Sequence, residues 1–268
     1  MFFCYNKYMS WAGRRKFSYL LIIFLFILGM LALLLRPYYT KAPSCFDGKM
    51  NGIELGVDCG GSCALYCSSQ VRNPVILWSR IFPVTDTIYN AVAYIENQNP
   101  TAVGVNANYD FRIYDDHNLM IAERKGQTNI VPNTRQVIFE GGIDMGTHSP
   151  KRSLFIFDSI PAWYKSDINP STLPIKIDNI REPIDFKNPK LTARVTNNDL
   201  KDFPSFKVSA IVYDQDNNAQ AVSQTLVDPL PTGGSQDIVF TWPYDIGKGV
   251  FHYSLEPIFD VLKLSQRK

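Results

Sequence analysis

The chain has 268 residues, with 27 Lys and Arg against 25 Asp and Glu and a net charge of +2. A balance this close to neutral, with much of the positive excess crowded into one N-terminal stretch, offers no footprint for nucleic acid or another polyanion. More than two hundred residues follow the apolar N-terminal run, enough for one large or two ordinary domains with real cores.

Residues 1–16 form a short tail carrying Lys7, Arg14, Arg15 and Lys16, and Phe17 to Leu35 is a nineteen-residue run without charge. At about 1.5 Å per residue a helix over 17–35 reaches roughly 28 Å, the thickness of a hydrocarbon core. Only Arg36 and Lys41 follow closely. Positive charge resists translocation, so the tail is expected in the cytoplasm and the bulk of the chain outside, in a cell-membrane protein with a single pass. Trp11 and the pair Tyr38-Tyr39 suit the two headgroup interfaces. A cleaved signal peptide is the rival reading, but its apolar region is usually about 7 to 15 residues and ends at small residues, a pattern missing here. Ala42-Pro43-Ser44 before Cys45 also lacks the apolar-then-small pattern of a lipid-modified cysteine. Cys4 lies near the inner face, where acylation competes with a plain free thiol.

Cys45, Cys59, Cys63 and Cys67 fall within one short module, 45–67, too small to bury a core, so a covalent or metal staple is needed. Outside the cell that staple is expected to be two disulfides, with three connectivities open; four thiolates around zinc are the alternative. No cofactor is called for. Asp47 to Asp58 has the length of a calcium loop, and Asp47, Asn51, Glu54 and Asp58 are its candidate oxygens. Lys49 at a liganding position and Asp rather than Glu at the last break that pattern, so turn formation is the favoured role. The run Cys45-Phe-Asp-Gly-Lys-Met-Asn-Gly-Ile-Glu-Leu-Gly-Val-Asp-Cys59-Gly-Gly-Ser-Cys63 resembles a short cysteine-rich element of bacterial surface and secreted proteins. That resemblance implies a surface-exposed bacterial setting and no activity.

Beyond residue 73 the chain is rich in Val, Ile, Thr, Tyr and Phe and lacks long helical periodicity, which predicts an all-β fold. It also repeats itself at about one hundred residues. Pro74-Val75 answers Pro174-Ile175, Pro83-Val84 answers Pro183-Ile184, Ile95 and Asn97 answer Val195 and Asn197, and Tyr114-Asp115 answers Tyr213-Asp214. Pro132 answers Pro231, and after a small slip Val137-Ile138-Phe139 is set against Ile238-Val239-Phe240. Val105, Ala107, Tyr109, Phe111 and Ile113 alternate, as do Phe206, Val208, Ala210 and Val212, the period of a half-buried strand. Asp115 to Asn118 and Asp214 to Asn218 are expected to close hairpins, and second turns are expected at Pro132-Asn133-Thr134 and Pro231 to Gly234. The fold class is therefore all-β, two tandem Ig-like β-sandwiches at 73–170 and 171–268 behind one transmembrane helix and a small disulfide-rich segment.

Phe111-Arg112-Ile113-Tyr114-Asp115, with Ile for Leu, and the weaker Ala210-Ile211-Val212-Tyr213-Asp214 make each repeat resemble the FxLYD-type bacterial β-sandwich, related in pattern to the LEA14-like domain. Asn97 and Asn197-Asn198 fit that layout. The resemblance implies extracytoplasmic modules without catalytic residues.

The three histidines, His117, His148 and His252, form no H-E-x-x-H pair, and no G-x-S-x-G elbow or phosphate loop occurs. Trp78, Trp163 and Trp242 sit among apolar strand residues and are expected to fill cores or cap edges. The reading is a non-enzymatic, membrane-anchored accessory or scaffold subunit of a bacterial envelope assembly, with a protein partner in the envelope. A surface module for glycan or peptide and a membrane-tethered hydrolase are the alternatives.

Overall fold

The computed structural model describes residues 11–39, 42–159, 161–183, 187, 189–246 and 252–265. The tail with Cys4 and Lys7, and Ile184 of the repeat, lie outside the described residues. Helix α1 runs from Trp11 to Tyr39, ten residues longer than the uncharged run because Arg14, Arg15, Lys16 and Arg36 extend it at both ends. Among the described residues, its apolar side chains from Phe17 to Leu35 stand exposed. By length and composition it is apolar enough to cross a membrane, as an anchor or a signal sequence is.

Among the described residues thirteen strands follow: β1 (Val75–Pro83), β2 (Ile88–Asn97), β3 (Ala102–Tyr114), β4 (Met120–Ile130), β5 (Thr134–Asp144), β6 (Arg152–Phe157), β7 (Ala162–Lys165), β8 (Ile175–Arg181), β9 (Lys190–Asn197), β10 (Phe206–Tyr213), β11 (Ala219–Val227), β12 (Ser235–Thr241) and β13 (His252–Ile258), then a short helix α2 (Val261–Ser265). They form sheets ordered β1-β2-β5, β4-β3-β6 with β7 also on β3, β8-β9-β12, and β11-β10-β13. One strand order thus occurs twice, with every pairing antiparallel. Ala93, Ile95, Phe111, Ile113, Ile138 and Phe155 fill the first core, and Ala193, Val195, Val208, Val212, Ile238 and Phe240 fill the second.

The repeated residues do repeated work. Asp115 Oδ1 accepts the His117 and Leu119 N–H groups, and Asp214 Oδ1 accepts those of Asp216 and Asn218. Both predicted hairpins close in this way, with Asn118 and Asn217 in the left-handed region at φ 62° and 60°. Asn97 Nδ2 donates to the carbonyls of Ala102 and Val131 while its Oδ1 accepts the Asn99 N–H. Asn197 donates to Lys201, Leu230 and Pro231 and accepts from the Asp199 N–H. Each buried amide therefore clips the loop after the second strand of its sandwich to the turn after the fourth. A polar group buried this completely persists because its bonds replace those lost to water.

Two expectations need correction. Ile138 pairs with Ala93 and Ile238 with Ala193, so the repeat, offset by 99 at Asp115 and Asp214, returns to an offset of one hundred here, and the expected slip at Val137 is one residue too long. Because side chains alternate, that slip exchanges faces: Ile238 and Ile138 point into cores, whereas Val137 lies in a third apolar cluster. In β3 the alternation holds from Ala107 to Ile113 but fails at Val105, since a bulge with Asn106 at φ 53° intervenes between Gly104 and Ala107. Val105 packs instead with Val103, Val131 and Val261.

Candidate functional site

The structure places the four collar cysteines in two bonds, Cys45–Cys63 and Cys59–Cys67. No thiolate is left at these positions for zinc, which resolves that alternative. The glycines of the motif follow from the knot. A side chain at Gly56 would put its Cβ 2.8 Å from Cys59 Sγ, and one at Gly61, held at φ +54°, would fall 1.7 Å from the Ile53 carbonyl. Only a residue without Cβ allows these approaches.

The carboxylates among the candidate calcium oxygens are engaged within the loop, whereas Asn51 Oδ1 is buried without a hydrogen-bond partner among the described residues. Asp58 accepts the N–H groups of Asp47 and Gly48, Asp47 accepts from the Lys49 N–H and Asn51 Nδ2, and Glu54 accepts the Asn51 N–H. The amide of Asn51 beside Asp47, more than any other neighbour, holds the Asp47 carboxyl below the usual carboxylate range. This is the turn chemistry expected of Asp and Asn, with side chains replacing water on backbone donors.

The collar is joined firmly to the first sandwich. Tyr66 N–H donates to the Trp163 carbonyl and Lys165 N–H to that of Ala64, both at 2.8 Å, so Leu65 forms an isolated antiparallel bridge with Tyr164 of β7. Lys165 Nζ reaches the Gly61 carbonyl at 2.6 Å, and Tyr66 Oη meets Thr101 Oγ1 at 2.6 Å. Further along, Asn99 brackets Arg72 by accepting its N–H and donating to its carbonyl.

A second joint couples the sandwiches. Phe82, Val92, Tyr94 and Val137 from the β1-β2-β5 sheet pack with Ile211, Ala219 and Val222 from the β11-β10-β13 sheet. Around this apolar seam Arg80 donates to the Ala219 carbonyl at 2.8 Å and to Asn218 Oδ1 at 3.2 Å, and Tyr94 Oη donates to Glu256 Oε1 at 2.9 Å. Burial, then the Glu256 charge, pushes the Tyr94 phenol well above its ordinary range. Sequence reasoning missed this seam, although Ala91-Val92-Ala93-Tyr94-Ile95 carried its signal: an unbroken apolar run marks a strand covered on both faces.

The histidines do not converge on a common element. His117 is in the β3–β4 turn beside Asp116, His148 is exposed after β5, and His252 opens β13, stacked on Tyr213 at 4.9 Å. A cleft of about 300 Å³ between β4 and β10 includes Asn106, Thr128, Phe206 and Lys263, with Asp260 as its one carboxylate; Asp260 accepts the Leu262 N–H at the start of α2. Trp163 and Trp242 are buried in the two cores, and Trp78 packs half-buried on the seam.

No protein-family model matches the chain, and no curated protein matches it. Among solved structures it is similar to a transglutaminase of red sea bream, 12% identical with a TM-score of 0.25, over 69% of this chain and 29% of that one. It is similar in the same degree, 10% identical with a TM-score of 0.25, to a glycosyl hydrolase family 2 member from Bacteroides cellulosilyticus, over 69% of this chain and 28% of that one. The chain thus spans under a third of either protein, and likeness at this level says nothing about activity.

Proposed function

We propose that the protein is a non-enzymatic, membrane-anchored scaffold of a bacterial envelope assembly, with its N-terminus in the cytoplasm, α1 in the bilayer and both sandwiches outside. The observation that carries this reading is the series of fixed joints from the collar through β7 to the seam. Hinged modules search space, whereas a rigid arm holds a surface at one height and angle for a partner. The scattered, exposed positions of His117, His148 and His252 support a role other than catalysis, which needs a base and a nucleophile in one pocket.

Affinity capture of the full-length protein from its native membrane in mild detergent tests the proposal. A co-purifying envelope protein whose recovery falls when the seam is broken by Ile211→Asp is the expected result. Recovery of the protein alone, together with hydrolysis of peptide or glycan substrates, would overturn it.

A further inference from the structure

The collar exposes more apolar surface than its fold requires. Phe46 is 91% exposed, and Met50, Ile53, Leu55 and Val57 are 58–69% exposed, all within twelve residues of a module closed by two disulfides. Among the described residues, nothing covers them. A small module that keeps five large apolar side chains out of its own packing marks a contact surface.

We propose that these side chains are immersed in the lipid interface, so that the collar rests in the membrane as a foot. The inference relies on α1 remaining in the bilayer, as read above. Tether length selects the bilayer as occupant over a distant partner. Pro43 already belongs to the collar, since a Cβ on Gly52 would touch its side chain at 2.9 Å, and α1 ends at Tyr39. Four residue steps at about 3.5 Å span at most about 14 Å. With Phe17 to Leu35 in the hydrocarbon, α1 itself ends in the headgroup layer, so the collar starts on the membrane surface. The attraction is apolar, because the collar carries Asp47, Glu54 and Asp58 against Lys49 alone. Contact should therefore persist on zwitterionic lipid and in high salt. With the collar fixed to β7, the foot would also set the tilt of the first sandwich.

The test uses the full-length protein in phosphatidylcholine vesicles, with and without bromine on the upper acyl chains. Phe46→Trp and Ile53→Trp are compared with Leu200→Trp, which replaces a side chain 91% exposed between β9 and β10. Apolar groups of an interfacial element lie about 5–10 Å deep, so the added fluorescence of the two collar variants should be blue-shifted and lose about half its intensity to bromine, in low and high salt alike. The added fluorescence of Leu200→Trp should be unaffected. Collar variants that behave like Leu200→Trp while the protein stays vesicle-bound overturn the foot alone. Release of the parent protein from native membranes by alkaline carbonate overturns the anchor as well. A photo-crosslinking phenylalanine at position 46 that joins an envelope protein rather than lipid would assign the surface to a protein partner and also overturn the proposal.

Discussion

Asn197→Ala tests the idea that one buried amide per sandwich ties the loops together. The side chain is fully buried, donates to three carbonyls at 2.9–3.1 Å and accepts the Asp199 N–H at 2.9 Å. Leu230 and Pro231 keep other donors, the Phe203 and Gly234 N–H groups, and Lys201 is exposed to water, so the loss is that of the amide's own bonds rather than of abandoned buried carbonyls. At about 1 kcal/mol net per bond the cost is about 2–4 kcal/mol, a large part of the roughly 5–15 kcal/mol that stabilises a typical domain. For a chain of this size that corresponds to a fall in Tm of about 4–16 °C. Asn197→Asp preserves shape but turns a donor into a charged acceptor facing the same carbonyls, so it should be the more damaging change. Thermal and urea unfolding of the full chain in detergent, followed by circular dichroism, measures both, and Leu200→Ala in the same loop should stay within about 0.5 kcal/mol of the parent. An Asn197→Ala protein that melts with the parent, or an Asn197→Asp protein milder than Asn197→Ala, would refute the reasoning.

Ile211 is fully buried in the seam, and Ile211→Asp leaves an unpaired carboxylate there at a cost of several kcal/mol; small-angle scattering should show the sandwiches separating into a longer particle. Removing Cys45–Cys63, whose partners are 18 residues apart, should destabilise the collar by about 3 kcal/mol, and removing Cys59–Cys67, 8 apart, by about 2.5 kcal/mol. Amide exchange should rise in residues 45–67 while the core strands of the sandwiches remain protected. Burial raises the phenols of Tyr94, Tyr109 and Tyr244, the last to about 12. Unfolded, they ionise near pH 10, so their contribution is intact below about pH 10 and is lost as pH rises through the folded values; phenolate absorbance should show these groups ionising late, together with unfolding. Asp237 is held below the usual carboxylate range first by its hydrogen bond with Arg194, so that contribution is present above about pH 4 and disappears as pH falls through the lowered value. An NMR titration of Arg194→Gln should return Asp237 toward its ordinary value, and an unchanged titration would sink the assignment.

Much of the architecture was legible because its causes are local. An apolar run long enough to span, Asp and Asn at hairpin turns, and glycines beside closely spaced cysteines each act within a few residues of the chain. Asn97 and Asn197 were visible as matching positions, yet nothing local says that their amides reach carbonyls of Val131 and Leu230 more than thirty residues away.

The sequence by itself determined an all-β chain of two similar units behind an apolar helix and a cysteine knot, since periodicity and turn chemistry are properties of neighbouring residues. Only the tertiary structure decided the disulfide pairing, the bridge that joins the collar to β7, and the seam that covers the second faces of β2 and β10. An apolar side chain records that water is excluded from it, and the surface that excludes the water is set by elements distant in sequence.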